Sequence, residues 1–191
     1  MYGKDRNGIG RAVLTDPNGA LIAAAGKYAE AAQAGRLFSA ANTAAVATTA
    51  AAATTWTGLG IANPASSGKL LVMLEFGWGL SVVGPAAGLL GLMSATDGGF
   101  AADIAIRCAS FGMGASVALA DGGATIVSPV LERIVSTYGT GAITTWQGAG
   151  PQVYSIDGSI ILRPGRSICT YTTTACSAAF QFSFLWEEID A

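Results

Sequence analysis

Few residues of this chain could do chemistry, and their types and spacing favour no familiar reaction. The chain has no histidine, so the commonest general base and metal ligand is missing. Ser66 and Lys69 form a Ser-x-x-Lys pattern, which some enzymes place at the start of a helix to position a serine nucleophile. Here the pattern follows the turn signal Asn63-Pro64 and precedes an alternating apolar segment, which favours a strand. We therefore predict no nucleophile at Ser66.

The carboxylates are scattered along the chain. Asp97, Asp121 and Asp157 each precede glycine, a pairing typical of turns, and we interpret them as turn residues. Two carboxylates that meet in space could cleave a glycosidic bond, but the sequence points to no such pair. Glu187 and Glu188 could bind a cation, or they could form the polar end of a strand. No catalytic, cofactor-binding or metal-ligating residue is predicted, and we expect the chain not to be an enzyme.

Tryptophan and cysteine side chains could have two further roles, sugar binding and disulfide formation. Trp146 has polar neighbours, so we expect it to be exposed and available to stack on a sugar, whereas Trp78 and Trp186 lie on apolar faces and are predicted core residues. With Cys108, the chain has three cysteines, and this odd number with irregular spacing argues against a disulfide framework. Cys169 and Cys176 could pair if a hairpin placed them opposite each other. The alternative is that the cysteines are buried as small apolar side chains.

The composition indicates a surface that is poor in charge. Charged residues make up 12% of the chain, whereas about 25% is typical of soluble domains. Apolar residues make up 51%, and the mean hydropathy is +0.48. Either Ser, Thr, Gly and Ala cover much of the surface or an assembly buries it, and we expect both. The net charge is −2 with no basic cluster, so nucleic-acid binding is not predicted.

Two segments have the period-two pattern of strands with one buried face. Near the end of the chain, aromatic residues occupy every second position: Phe180, Phe182, Phe184 and Trp186. Residues 70–82 have apolar side chains at every even position, and we predict a long strand that is bent or bulged at its glycines. Because Glu75 and Pro85 interrupt the apolar residues 70–93, no membrane span is predicted. We expect the two strands to be neighbours in one sheet.

Turn signals divide the rest of the chain after Gly68 into about eight to ten short strands. Asp157-Gly158 predicts a hairpin, Asp121-Gly122-Gly123 and Ser128-Pro129 predict turns, and residues 167–174 and 179–188 are predicted to pair as a last hairpin. The fold class is therefore all-β. We predict a jelly-roll-like antiparallel β-sandwich over residues 36–191.

The beginning of the chain is predicted to be an arm rather than part of the sandwich. Residues 1–35 are rich in glycine and polar residues and contain the turn signals Asn7-Gly8 and Asn18-Gly19. Because this extended N-terminal arm has little core of its own, we expect it to lie on a neighbouring subunit. The Ala/Thr-rich segment from Ala40 to Thr57 could be helix or strand, and its β-branched threonines favour an extended form.

Two blocks of the sequence carry a family resemblance. The first contains Gly26-Lys27-Tyr28, the run from Gly35 to Asn42, Thr57-Gly58-Leu59 and Asn63-Pro64; the second contains Ser159-Ile160-Ile161-Leu162, Pro164-Gly165, Tyr171-Thr172 and Trp186-Glu187-Glu188. Together they resemble small virion proteins encoded by tailed bacteriophages, including cyanophages. The match is one of composition and turns, and it contains no catalytic signature.

The resemblance implies a capsid cement (decoration) protein on the exterior of the virion capsid, made in the host cytoplasm. Such proteins are commonly jelly-roll or β-tulip oligomers, often homotrimers at local threefold positions, and they bridge neighbouring copies of the major capsid protein. The implied partners are therefore the major capsid protein and further copies of this chain, and no cofactor is implied. The alternatives are a tail, neck or fibre-associated jelly-roll virion protein that binds glycans through Trp146, and a β-sandwich binding module of non-viral origin.

Overall fold

Strands dominate the structure, as the alternating apolar pattern predicts. The computed structural model describes residues 2–4, 10–12, 27–80, 87–96, 98–139 and 152–191. The chain divides into two compact units, Met1–Glu30 and Ala31–Ala191. The elements in chain order are β1 Tyr2–Lys4, β2 Gly10–Ala12, α1 Ala29–Gln33, β3 Leu37–Ala41, β4 Val46–Thr48, β5 Thr55–Asn63, β6 Lys69–Leu80, β7 Gly88–Thr96, β8 Ile106–Cys108, β9 Leu119–Thr125, β10 Val127–Tyr138, β11 Gln152–Leu162, β12 Arg166–Thr172 and β13 Cys176–Asp190.

The first unit contains an antiparallel pair, β1 and β2, with Tyr2 opposite Ala12. Its Lys27 ammonium lies 5.1 Å from the centre of the Tyr28 ring. The two Asn-Gly turn signals lie outside the described residues. The extended arm over residues 1–35 stays a prediction, as does its placement on a neighbouring subunit.

The second unit is a sandwich of two antiparallel sheets. One sheet has the strand order β10-β7-β12-β5-β9, and the other has the order β11-β6-β13-β3-β8, with β4 also paired to β13. Strands β6 and β13 are neighbours from Phe180 opposite Leu80 to Asp190 opposite Lys69, which confirms the predicted pairing of the two alternating segments. The order is compatible with a jelly roll, and that finer topology stays a prediction.

Aromatic side chains of β13 form the centre of the core between the sheets. The even-numbered residues from Phe180 to Trp186 are buried, as the period-two pattern predicts. The Phe76 ring lies 5.9 Å from that of Phe182 and 5.0 Å from that of Phe184. These rings pack within one continuous cluster that draws on both sheets, so the alternation of β13 defines the inner face of its sheet.

Strand β6 follows the predicted alternation over only part of its length. Leu74, Phe76 and Trp78 are buried on the even positions, but Leu71 and Met73 are buried further towards the start of the strand. The register explains the change, because Leu185 lies opposite Glu75 whereas the next residue, Trp186, lies opposite Met73. Leu74 is therefore the extra residue of a β-bulge. The prediction of a buried even face is wrong before this bulge, and the bulge does not lie at a glycine.

The predicted hairpin at Asp157-Gly158 is wrong, because β11 continues through it as one strand. Ser155 pairs with Glu75 and Ile160 with Met73, so both halves of β11 lie along β6. Asp157 and Gly158 have φ values of 50° and 74°, which suit a tight turn. Here they form an irregularity opposite the bulged Leu74, and the chain direction does not reverse.

Three other predicted turns and pairings differ from the structure. Asp121-Gly122-Gly123 lies inside β9, and Ser128-Pro129 lies inside β10 at a register irregularity where Ser128 has a φ of 50°. Strands β12 and β13 belong to different sheets, so the predicted last hairpin is wrong. The Ala/Thr-rich segment contains the end of β3, all of β4 and the start of β5, so its regular structure is strand, as its threonines predict.

A second, smaller core covers the outer face of the five-stranded sheet. Leu92 of β7 faces the main core, and its neighbour Met93 packs in the second cluster with Trp56 and Phe100. The Trp56 and Phe100 rings stack 6.3 Å apart, and the indole N–H donates to the Thr170 carbonyl at 2.8 Å. The large Trp56 side chain therefore packs back over its own strand.

Gly58 makes this packing possible. Its φ is +152°, and a Cβ at this position would overlap Thr170 Oγ1 and lie 2.9 Å from Trp56 Cζ2. The Leu59 N–H donates to the same Thr170 oxygen at 3.2 Å. The Thr-Gly-Leu sequence after Trp56 is thus shaped by the close approach of the indole and the neighbouring strand.

Candidate interaction surfaces

The predicted cation candidates Glu187 and Glu188 form internal contacts instead. Glu188 is buried, and its carboxylate accepts hydrogen bonds from Ser116 Oγ at 2.5 Å, from the Val117 N–H at 3.2 Å and from Trp186 Nε1 at 3.3 Å. Glu187 forms an ion pair with Arg36, with 3.0 Å between Nε and Oε1. Glu188 therefore fastens the segment before β9 to the six-stranded sheet.

Asp121 of the five-stranded sheet also binds a neighbouring segment through its carboxylate. Its carboxylate is buried and accepts hydrogen bonds from the Ala101 N–H at 2.7 Å and from the Gly123 N–H at 2.9 Å. These bonds hold the segment that carries Phe100 over the second core. Asp157 is exposed in the β11 irregularity, and Asp97 and Trp146 lie outside the described residues.

The other chemical candidates are also placed apart from one another. The Lys69 ammonium binds Asp190 at 2.6 Å, which lowers the pKa of that carboxyl group, and Ser66 is exposed in the preceding turn. All three cysteines are free, and Cys169 and Cys176 lie in different clusters. In the part of the chain that the structure describes, no three His, Cys, Asp or Glu residues are grouped to hold a metal. None of the described helices is long and apolar enough to cross a membrane.

Burial changes the proton affinity of two core groups. It raises the pKa of the Tyr138 hydroxyl to about 12, and the Cys176 thiol, whose sulfur lies 3.7 Å from the hydroxyl oxygen, contributes in the same direction. Burial also raises the pKa of the Cys169 thiol in the second core. Both groups stay protonated in the folded chain at a pH where they ionise in the unfolded chain.

We predict that the folded chain loses stability in alkali for this reason. Because both folded pKa values are raised, the stabilisation is complete below the unfolded values, about 8.5 for cysteine and 10 for tyrosine, and is lost as pH rises above them. Urea unfolding across about pH 8 to 12 measures the loss. Cys169→Ala should flatten the first part of the decline and Tyr138→Phe the part above about pH 10. A wild-type free energy of unfolding that stays constant over this range would contradict the prediction.

Large apolar side chains are exposed on the edge strands of both sheets. Strand β10 exposes Val127, Val130, Leu131 and Ile134, each between 41% and 57%, and β11 exposes Val153 at 69%. Ile161 of β11 is exposed as well. Exposed apolar edge strands are typical sites of association.

The edge of β10 is nevertheless protected against simple strand pairing. It contains Pro129 and the charged residues Glu132 and Arg133, and its register against β7 shifts at three places. Proline, charge and bulges are the features by which natural edge strands avoid backbone pairing with another chain. The exposed apolar residues therefore favour contacts between side chains over the addition of a further strand.

The loop between β8 and β9 presents a single aromatic side chain. Phe111 is 91% exposed at a turn closed by a hydrogen bond from the Met113 N–H to the Ser110 carbonyl at 3.0 Å. Gly112, the third residue of this turn, has a φ of +89°, as a type II turn requires. Residues 108–120 contain no charged side chain. The fold thus holds a protruding apolar group on a defined turn.

A cleft lies beside the same edge of the sandwich, at the other end of β3. We call it the β3 cleft. It has a volume of about 630 Å³ and is lined by residues 39–44, 46, 103–105, 107 and 121–123. Its apolar lining consists of Ala40, Ala41, Ala44, Val46, Ile104 and Ala105. Sequence reasoning missed this cleft because its three lining segments are far apart in the chain, and it missed Phe111, although an aromatic residue between Ser and Gly in an uncharged loop was a usable signal.

Comparison with known proteins finds no family model, no curated protein and no solved structure that matches this chain.

Proposed function

We propose that this chain is a capsid cement protein of a tailed bacteriophage, which binds the lattice of the major capsid protein as a homo-oligomer on the capsid exterior. The observation that carries the proposal is the exposed apolar surface of edge strands β10 and β11. The resemblance of the two sequence blocks to phage virion proteins supplies the biological setting.

Physical chemistry makes this surface suited to assembly. Fully burying a valine, leucine or isoleucine side chain gains roughly 1.5–3 kcal/mol. The six residues on the two strands are 41–69% exposed, so a free monomer forgoes part of this gain at each. Charge is sparse, with 12% of residues charged, so contacts made here depend little on ion pairs that salt would screen. Contacts repeated around an oligomer on a lattice also reinforce one another, because linked sites raise avidity.

The location and copy number of the chain in purified virions test this function. Quantitative mass spectrometry should find it in a fixed stoichiometric ratio to the major capsid protein, and antibody labelling should mark the head. A few copies confined to the tail, neck or fibres would contradict the cement role and favour the other virion location.

A further inference from the structure

We propose that Phe111 of one copy inserts into the β3 cleft of a second copy. The inference rests on the proposed self-association and names the surfaces that carry it. Phe111 is the most exposed of the large apolar side chains that the structure describes, and the turn fixes its direction. Aromatic side chains that fill a partner's pocket are common energetic centres of protein interfaces.

The loop has the composition of an interface centre. Residues 111–115 are all exposed, yet the uncharged stretch that contains them runs from 108 to 120. Charged residues are depleted at the buried centres of interfaces because removing a charge from water is costly. Met113, 47% exposed beside Phe111, extends the apolar contact.

The β3 cleft has the complementary properties. Its volume of about 630 Å³ is within the range of roughly 300–1,000 Å³ that ligand pockets occupy. Six of its fourteen lining residues are alanine, valine or isoleucine, and the lining residues Asp103 and Arg107 are exposed. The carboxylate of Asp121 is already bound by two backbone N–H groups, so it does not oppose an apolar occupant.

Asn42, a lining residue of the cleft, has one polar side-chain atom without a partner among the described residues. The side chain is nine-tenths buried in the cleft lining, and among the described residues its Oδ1 has no hydrogen-bond donor. A buried oxygen without a donor costs about 1–3 kcal/mol.

Phe111 inserts into the β3 cleft of a second copy because the Phe111 loop of a chain is directed away from that chain's own cleft. The Ala109 N–H donates to the Leu37 carbonyl at 2.8 Å, so the loop leaves at the Leu37 end of β3, whereas the cleft begins at Ser39 and continues beyond Ala41. Phe111 and the β3 cleft are different surfaces of the chain. Copies can therefore exchange loops reciprocally as a dimer or pass them around a closed ring such as a trimer.

Two variants remove opposite halves of the contact. Phe111→Ser removes the aromatic side chain that inserts. Ala44→Trp places a large side chain in the β3 cleft, on the exposed loop after β3. Light scattering coupled to size exclusion should find both variants monomeric where the wild type is oligomeric, with the dissociation constant raised at least about 30-fold. Because Phe111 buries almost nothing within its own chain, the unfolding temperature of Phe111→Ser should equal that of the wild type. Leu89→Thr, which changes an exposed apolar side chain on β7 away from the edge strands, is the control and should stay oligomeric.

Mixing the two variants gives the sharpest result. The Phe111→Ser variant keeps an open β3 cleft, and the Ala44→Trp variant keeps Phe111. Only one contact can form between the two variants, so an equimolar mixture should form a species of two chains and nothing larger. A wild type that is oligomeric together with an equally oligomeric Phe111→Ser variant would overturn this inference and leave the cement role intact. A wild type that is monomeric at about 100 µM would overturn it together with the proposed self-association.

Discussion

Replacing Trp186 with alanine is expected to lower the free energy of unfolding by about 3–5 kcal/mol. Trp186 is fully buried in β13, and its ring stacks on Phe38 of the neighbouring strand with 6.3 Å between centres. The substitution leaves a cavity at the centre of the six-stranded sheet. It also removes the indole N–H that donates to the buried carboxylate of Glu188.

Urea unfolding at constant pH measures this loss. Leu185→Ala is the matched control, because Leu185 is the adjacent residue and its side chain lies on the half-exposed outer face. Trp186→Phe should fall between the two, since it keeps one aromatic ring in the core and loses the N–H and the volume of the second ring. Equal losses for Leu185→Ala and Trp186→Ala would contradict the assignment of the inner face of β13.

Gly58→Ala is expected to be the second most damaging change, with a loss of about 2–5 kcal/mol. The backbone has a φ of +152°, which strains any residue with a Cβ. The added methyl group would also meet the Trp56 ring and the Thr170 hydroxyl, so either the indole moves or β5 separates from β12.

Thermal unfolding and the near-ultraviolet circular dichroism of the tryptophans give the two readouts. Gly139→Ala is the control, because a Cβ there meets no atom of the described residues within 4 Å, and we expect it to change stability by no more than about 0.5 kcal/mol. If Gly58→Ala unfolds like the wild type, the close packing of Trp56 over its own strand is wrong.

The sequence predicted the parts of the fold that repeat with period two. Phe180, Phe182 and Phe184 alternate without interruption, and because the pleat places alternate side chains on one face, their burial followed directly. The buried face of the neighbouring strand, β6, could be predicted over only part of its length. Its bulge at Leu74 changes which face later residues occupy, and a bulge depends on the partner strand as much as on the residues that form it.

Turn signals were less reliable than alternation in this chain. Asp157-Gly158 has the positive φ values that a tight turn needs, yet both flanking segments pair with β6, so long-range pairing decided the outcome. Asp121 precedes two glycines but is held within β9 by its bonds to backbone N–H groups from two sides. A local pattern cannot report such distant partners.

The sequence predicted one property of the candidate surfaces and missed another. The deficit of charge in the sequence indicated that part of the surface is covered in an assembly, and the exposed apolar residues of β10 and β11 are where the structure offers such a surface. The β3 cleft arises only when β3, β8 and β9 meet at one edge. Four of its fourteen lining residues are alanines, which form no distinctive pattern in a chain so rich in that residue.

Binding to phage heads tests the cement function most directly. Purified chain is added to heads of the encoding phage from which the native copies have been stripped, and the bound chain is measured after sedimentation. We expect saturation at a fixed ratio to the major capsid protein, together with a higher temperature for heat-induced DNA release. Heads that bind no chain at saturating concentration, while tails bind it or neither particle does, would contradict the proposal.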